Sequence, residues 1–268
     1  MTMNPANSAA TAPLLTVRQL EKVYRTKAGD DVRALVDINI DLVDGEFVSV
    51  LGPSGCGKTT LLKILGGIVS HSAGELLFEG KPIAMAQRVM GVVFQSPVLL
   101  PWRTILDNVL LPIEVLGLDR ESYTAKARDL LDLVGLTGFD NKFPGELSGG
   151  MQQRASIVRA LVHDPGILLM DEPFGALDAL TRERMNVELQ KIWLANRKTV
   201  FFITHSVSEA VFLSDRVLVM SARPGRIIEE LRIDFPRPRS LDLMSSAEFG
   251  GITRHLRSCL GSHEGASE

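Results

Sequence analysis

One eight-residue stretch constrains this chain more than any other: Gly52-Pro53-Ser54-Gly55-Cys56-Gly57-Lys58-Thr59. Before it, Phe47-Val48-Ser49-Val50-Leu51 reads as a buried strand; after it, Thr60-Leu61-Leu62-Lys63-Ile64-Leu65 reads as the first turns of a helix. Strand, glycine-rich loop and helix in that order imply an α/β core. The glycines let the backbone curl so that successive N–H groups point inward, and the helix start adds its unpaired N–H groups and positive dipole end. Such a cradle fits phosphate. The G-x-x-x-x-G-K-[ST] spacing assigns Lys58 to the β- and γ-phosphates and the Thr59 hydroxyl to Mg²⁺, with Gly52 through Thr60 lining the site. The bland alternative is a glycine-rich turn beside a solvated lysine. The flanking strand and helix favour a nucleoside triphosphate.

With 268 residues the chain can bury a full core. A formal net charge of −3 argues against a nucleic-acid-binding surface as the main business. Cys56 and Cys259 are too few for a disulfide framework, and one lies in the phosphate loop, so a reducing compartment is expected. Cys56 also sits among inward-facing amides near Lys58, which would favour its thiolate and alkylation; the alternative is a small inert residue filling the loop. The first residues lack the basic and apolar regions of a signal peptide. The most apolar region, Leu99 to Leu118, is interrupted by Arg103, Asp107, Glu114 and two prolines, so no membrane span is expected. Any association with a membrane goes through a partner.

Along the chain, residues 1–13 read as a disordered tail. Leu15-Thr16-Val17 and Ile38-Asn39-Ile40-Asp41-Leu42 predict antiparallel strands beside the nucleotide site. Val89 to Phe94 predicts a buried strand ending at Gln95. Ile105, Val109, Leu110 and Ile113, then Ala127, Leu130, Leu131 and Val134, recur at helical spacing. Ile167-Leu168-Leu169-Met170 and Val200-Phe201-Phe202-Ile203-Thr204 read as strands covered on both faces. After Pro236 the chain turns polar, with a helix expected over Ser246 to Leu260.

Further elements stand in order behind the phosphate loop. Leu147-Ser148-Gly149-Gly150-Met151-Gln152-Gln153-Arg154 heads a helix for which Ser148 is a good N-cap, and which on its own would pass as an ordinary capped helix. Met170-Asp171-Glu172 ends a strand with two adjacent acids, often mere turn formers. Pro173 to Asp178 follows, and His205 comes directly after the next buried strand. Together these elements resemble the ATPase subunits of the ABC family, from Leu14 to about Arg232. The resemblance implies a P-loop NTPase core with an antiparallel β subdomain and an inserted helical subdomain. It places the ATPase domain at 14–235, the helical part at about 96–165, and a short extension at 236–268. Asp171 would hold Mg²⁺ and Glu172 would polarise the attacking water. His205 would touch the γ-phosphate and orient Glu172. Gln95 would reach Mg²⁺ and the water, and Tyr24 would stack on adenine, unless it is a half-buried strand tyrosine. Ser148, Gly149, Gly150 and Gln152 would close on the γ-phosphate of a second subunit, and Asp178 would contact that subunit.

Ser96 to Ile105, with two prolines, leucines and Trp102, corresponds to the surface on which family members receive a separate membrane-spanning permease; these side chains could instead pack the subdomain's own core. The wording Leu99 to Val109, and Ser221 to Ile227, looks most like importers of nitrate, sulfonates, taurine, bicarbonate or thiamine-precursor pyrimidines. That resemblance implies an ATP-sandwich dimer on the cytoplasmic face of a bacterial inner membrane. It also implies permease subunits and, indirectly, an extracytoplasmic solute-binding protein. A different class, a soluble ABC ATPase acting on nucleic acid or ribosomes, lacks support, since the chain shows neither sustained heptads nor a second nucleotide domain.

Overall fold

The strands predicted as buried on both faces pair side by side. The computed structural model describes residues 12–27, 29–83, 89–175 and 177–261; the greater part of the expected tail lies outside them. One sheet has six strands in the order β10-β9-β3-β8-β7-β6. They are β3 (Phe47–Leu51), β6 (Met90–Val93), β7 (Ile167–Asp171), β8 (Thr199–Ile203), β9 (Arg216–Met220) and β10 (Ile227–Arg232). All pairs are parallel except β10 against β9. Every residue of β3, β8 and β9 is buried, as a parallel sheet covered on both faces demands.

The two-residue period of a strand splits these apolar runs between two cores. Phe47, Leu51, Leu168, Met170, Val200 and Phe202 face one cluster, shared with the helical part of the chain. Val48, Val50, Ile167, Leu169, Phe201 and Ile203 face the other. That second core is closed by α1 (Lys58–Leu65) and by an antiparallel sheet in the order β2-β1-β4-β5. Its strands are β1 (Leu15–Arg25), β2 (Asp31–Leu42), β4 (Ala73–Phe78) and β5 (Lys81–Pro82). β1 is bulged, with Gln19 in the left-handed region, and Gly74 must be glycine there: a Cβ would lie 2.4 Å from the Gln19 carbonyl oxygen.

Between β6 and β7 run α2 (Ile105–Val109), α3 (Leu111–Val115), α4 (Arg120–Leu133) and α5 (Gly149–Leu161). The eight apolar residues picked out there by helical spacing are all buried in the first cluster. Further on come α6 (Ala179–Asn196), α7 (Val207–Leu213) and α8 (Ala247–Gly261). The segment after Pro236, expected as a polar extension, packs on the same core. Phe249 and Leu256 of α8 are buried there. The buried Arg239 guanidinium donates to the carbonyls of Val211, Phe212, Ser214, Ile233 and Phe235. It thereby satisfies carbonyls that the end of α7 leaves without helical partners. Burial pulls its pKa down to about 10. Composition misled because one arginine with many carbonyl partners reads as surface charge.

Candidate functional site

In open α/β sheets ligands gather at the carboxyl ends of the parallel strands. Strand register brings the singled-out residues to that edge. Val50 and Asp171 both align with Ile203, and Val93 aligns with Met170. The loops that continue β3, β7, β8 and β6 therefore emerge together, carrying Gly52–Thr59, Glu172, His205 and Gln95.

The loop after β3 is shaped by glycines at which no larger residue fits. Gly57 has φ +110, and a Cβ there would meet Leu35 Cδ2 at 2.8 Å and the Ala34 carbonyl oxygen at 3.1 Å. α1 begins at Lys58 with no side-chain cap and no acidic residue in its first turn. The N–H groups of Lys58, Thr59 and Thr60 are thus the helix's open donors, suited to an anion. Lys58 is buried, and its ammonium donates to the carbonyls of Gly52 at 2.8 Å and Pro53 at 3.0 Å, spanning the loop it serves. Ser54 and Gly55 are exposed at the loop's crest.

Two contacts join separate strands. Thr59 Oγ1 donates to Asp171 Oδ1 at 3.1 Å, and His205 Nδ1 lies 3.2 Å from Glu172 Oε2. A carboxylate only accepts, so the second contact places a proton on Nδ1. Burial pushes the Asp171 carboxyl above its ordinary value; the Thr59 hydrogen bond opposes this and the Glu172 charge adds to it. A hydroxyl and a carboxylate in hydrogen-bond contact, where negative charge is under-compensated, fit a hard divalent cation such as Mg²⁺. Glu172 has φ +44, a conformation that a non-glycine side chain holds only when its surroundings enforce it. Here the Glu172 N–H donates to Ile203 O and its carbonyl accepts from Gly175 N–H. Gln95 Nε2 and Glu172 Oε2 stand 3.1 Å and 3.6 Å from the point a Cβ on Gly175 would occupy. Gln95 and Glu172 thus both approach Gly175, and His205 contacts Glu172.

Ser148 caps α5, its hydroxyl accepting from Met151 N–H at 3.4 Å, and space over Gly149 is open. A cleft runs from Ser148, Gly149 and Gly150 to Asp178 and Thr181, and no residue of the phosphate loop lines it. Asp178 caps α6 by accepting from Thr181 N–H at 3.0 Å; the Thr181 side chain first, and then this N–H, hold its carboxyl below the usual range. Gln152 turns back, its amide donating to the carbonyls of Pro144 and Leu147, so it braces the loop before the helix rather than reaching outward. Tyr24 is 40 % exposed with the Lys22 ammonium 4.8 Å from its ring centroid. It pairs with Val32, and β2 then runs on to Ala34 and Leu35, which crowd Gly57. Cys56 is 1 % exposed and packs in the second core cluster. Of the two readings of Cys56, the buried position fits the small side chain that fills the loop, its own N–H directed at Pro53 O within the turn. No disulfide joins Cys56 and Cys259.

Sequence reasoning missed the residues that tie these parts together. Gln153 of α5, buried, donates to Phe94 O at 3.3 Å, next to Gln95. Arg159, two turns further, donates to Pro97 O at 2.8 Å and Val98 O at 2.7 Å. α5 therefore grips the loop after β6 on both sides of Gln95. Val98 has φ +48 and is 58 % exposed, and Trp102 is 72 % exposed, so this loop presents apolar side chains outward. Glu209 of α7 accepts from Thr204 Oγ1 at 2.5 Å and pairs with Arg182 at 3.4 Å, while Arg182 also donates to Leu177 O. That links the His205 segment to the Asp178 loop. Side chains whose partners are backbone carbonyls distant in sequence leave no local spacing to read.

The ABC transporter family model matches residues 35–175. The chain is 44 % identical over 256 residues to the taurine import ATP-binding protein TauB of Rhizobium johnstonii, covering 94 % of this chain and 98 % of that protein. It is 40 % identical over 249 residues to the aliphatic sulfonates import ATP-binding protein SsuB of Bacillus cereus, covering 89 % and 97 %. The fold is similar to that of the ABC transporter cassette MJ0796, solved as a dimer in a post-hydrolysis state bound to ADP and Pi (TM-score 0.70, 30 % identity, 83 % of this chain and 100 % of that one). This chain belongs to the ABC transporter family and is an ABC-type ATPase.

Proposed function

We propose that this chain is the ATP-hydrolysing subunit of an importer for small organic sulfonates, taurine among them. Relatives named for taurine and aliphatic sulfonate import, matched over nearly their full length, support the solute class. The observation that carries the chemistry is the pairing of Thr59 with Asp171 and of Glu172 with His205 at one sheet edge.

Thr59 and Asp171, with Gln95 as a further ligand, would hold Mg²⁺, which would supply charge neutralisation to the phosphates. Lys58 exchanges its loop carbonyls for phosphate oxygens, and the first N–H groups of α1 complete the cradle. Glu172 accepts the proton of the attacking water, and His205 holds that carboxylate in place. Tyr24 packs on the adenine. The cleft from Ser148 to Asp178 receives the γ-phosphate side of a second copy of the chain, so that two subunits sandwich two nucleotides. Residues 14–235 form the ATPase domain, and its helical part at 96–165 docks separate permease subunits through Val98 and Trp102. Closure of the dimer would drive the permease, and a solute-binding protein would deliver the sulfonate from outside. No helix among the described residues is long and apolar enough to cross a membrane, which suits a peripheral subunit on the cytoplasmic face.

The test is affinity capture of the Glu172→Gln protein from detergent-solubilised native membranes. A co-purifying polytopic membrane protein whose ATPase responds to a sulfonate-loaded binding protein supports the reading. Ribosomes or nucleic acid in place of a membrane partner would overturn it.

A further inference from the structure

Two strands along the sheet from β3, which leads into the phosphate loop, the edge strand β10 carries Glu229 opposite two residues of α8. His255 Nε2 lies 3.4 Å from Glu229 Oε1, and Cys259 Sγ lies 3.8 Å from the same nitrogen. One donor atom from each of the three lies within 4.8 Å of the others. Residues four apart on a helix share a face on successive turns, so the imidazole and thiol come from adjacent turns and the carboxylate from the strand beneath. None of the three takes part in the nucleotide site.

The donor set selects the ligand. Thiolate and imidazole nitrogen with one carboxylate suit a borderline-soft first-row ion; hard Mg²⁺ and Ca²⁺ prefer oxygen throughout. Zinc bonds of about 2.3 Å to sulfur and about 2.0–2.2 Å to nitrogen or oxygen put tetrahedral ligand atoms roughly 3.3–3.6 Å apart. The two measured separations are close to that, and His255 is exposed with the other two half-buried, so small side-chain rotations close the difference. We propose that Glu229, His255 and Cys259 bind one divalent transition ion of the zinc class, which clamps the last turns of α8 onto β10. Binding releases the Cys259 thiol proton to solvent and leaves a fourth coordination position for water. The sequence repeats the four-residue step at His263, outside the described residues; the proposal rests on the three.

Cobalt(II) reports on such a site directly. Titrating Co²⁺ into the metal-stripped full-length protein, without nucleotide and in a phosphine reductant, should give one equivalent of tight binding. It should show a near-ultraviolet thiolate-to-cobalt band and visible bands of tetrahedral intensity, both displaced by Zn²⁺. Cys259→Ser should abolish the near-ultraviolet band, and His255→Ala and Glu229→Gln should each weaken binding about 10–100-fold. Zn²⁺ should slow hydrogen exchange in β10 and α8 of the wild type and not of His255→Ala. His255 is exposed, Glu229 half-buried and Cys259 at the margin of the first core cluster, where serine is a near-isosteric change, so the variants should fold, and MgATP binding unchanged from wild type verifies it. Absence of the thiolate band, or a band and affinity that survive Cys259→Ser and His255→Ala, would overturn the proposal.

Discussion

Glu172 Oε2 and His205 Nδ1 stand 3.2 Å apart although each follows a different strand of the sheet. The contact exists because β7 and β8 are neighbours in register, Asp171 opposite Ile203, so Glu172, one residue past β7, and His205, two past β8, emerge at the same edge. Replacing Glu172 by Gln keeps the shape of this pair and removes the proposed proton acceptor. The expected outcome is a kcat lower by about 10²–10⁴-fold with ATP affinity retained, and His205→Ala should lower kcat through the same step. The double variant should lose little more than Glu172→Gln alone, since the two act as a unit. Steady-state kinetics with equilibrium binding of a fluorescent nucleotide checks all three.

Lys58 is the single buried ammonium of the phosphate loop, and its replacement acts on binding. Lys58→Ala should weaken ATP affinity roughly 10–100-fold, the worth of charge-assisted hydrogen bonds lost from a site that still closes around the nucleotide. AMP, which lacks the phosphates that Lys58 addresses, should show no comparable difference. Isothermal titration with both nucleotides separates a lost phosphate contact from a general collapse of the loop.

Arg159 is placed to affect coupling rather than hydrolysis. Its two bonds to Pro97 O and Val98 O hold the strained loop beneath the exposed Trp102. Arg159→Ala should cost about 1–3 kcal/mol of stability, with faster hydrogen exchange confined to residues 94–100. Basal ATPase of the isolated protein should change less than twofold (about 0.4 kcal/mol). An unchanged exchange rate in that loop would show that Arg159 does not hold it.

Glu209 gives a pH prediction with a definite sign. Burial raises its pKa above the ordinary glutamate value, outweighing the Thr204 hydrogen bond and the Arg182 charge. The folded state therefore holds this proton more tightly than the unfolded chain, so the contribution of Glu209 to stability is greatest at low pH. It declines as pH rises from the unfolded value through the raised folded one. Glu209→Gln keeps an acceptor for Thr204 and removes the titration. Its Tm relative to wild type should rise across that window, and a difference independent of pH would contradict the assignment.

Where chemistry depends on short spacings, the sequence was readable. Asp171 ends β7, and the phosphate loop, Glu172, His205 and Ser148 lie in loops or at a cap, because strand ends and helix starts are written locally in apolar runs, glycines and caps. The buried helical positions were equally legible from their 3.6-residue period. Three things were not. Cys56 looked reactive from its neighbours in sequence, yet the turn buries it. The chain after Pro236 looked polar, yet Arg239 meets five carbonyls within the core. Gln153 and Arg159 drew no attention because their partners, the carbonyls of Phe94, Pro97 and Val98, lie about sixty residues earlier.

The central claim is that hydrolysis takes place in a sandwich of two copies, each supplying a phosphate loop to the other's Ser148 cleft. Sedimentation velocity of the Glu172→Gln protein, with and without saturating MgATP, tests it most directly. The account predicts a monomer without nucleotide and a two-chain species with ATP, retaining one ATP per chain after gel filtration and reverting to monomer in the Lys58→Ala background. A protein that stays monomeric at saturating MgATP, while its wild-type form hydrolyses ATP at a rate per chain independent of concentration, would contradict it.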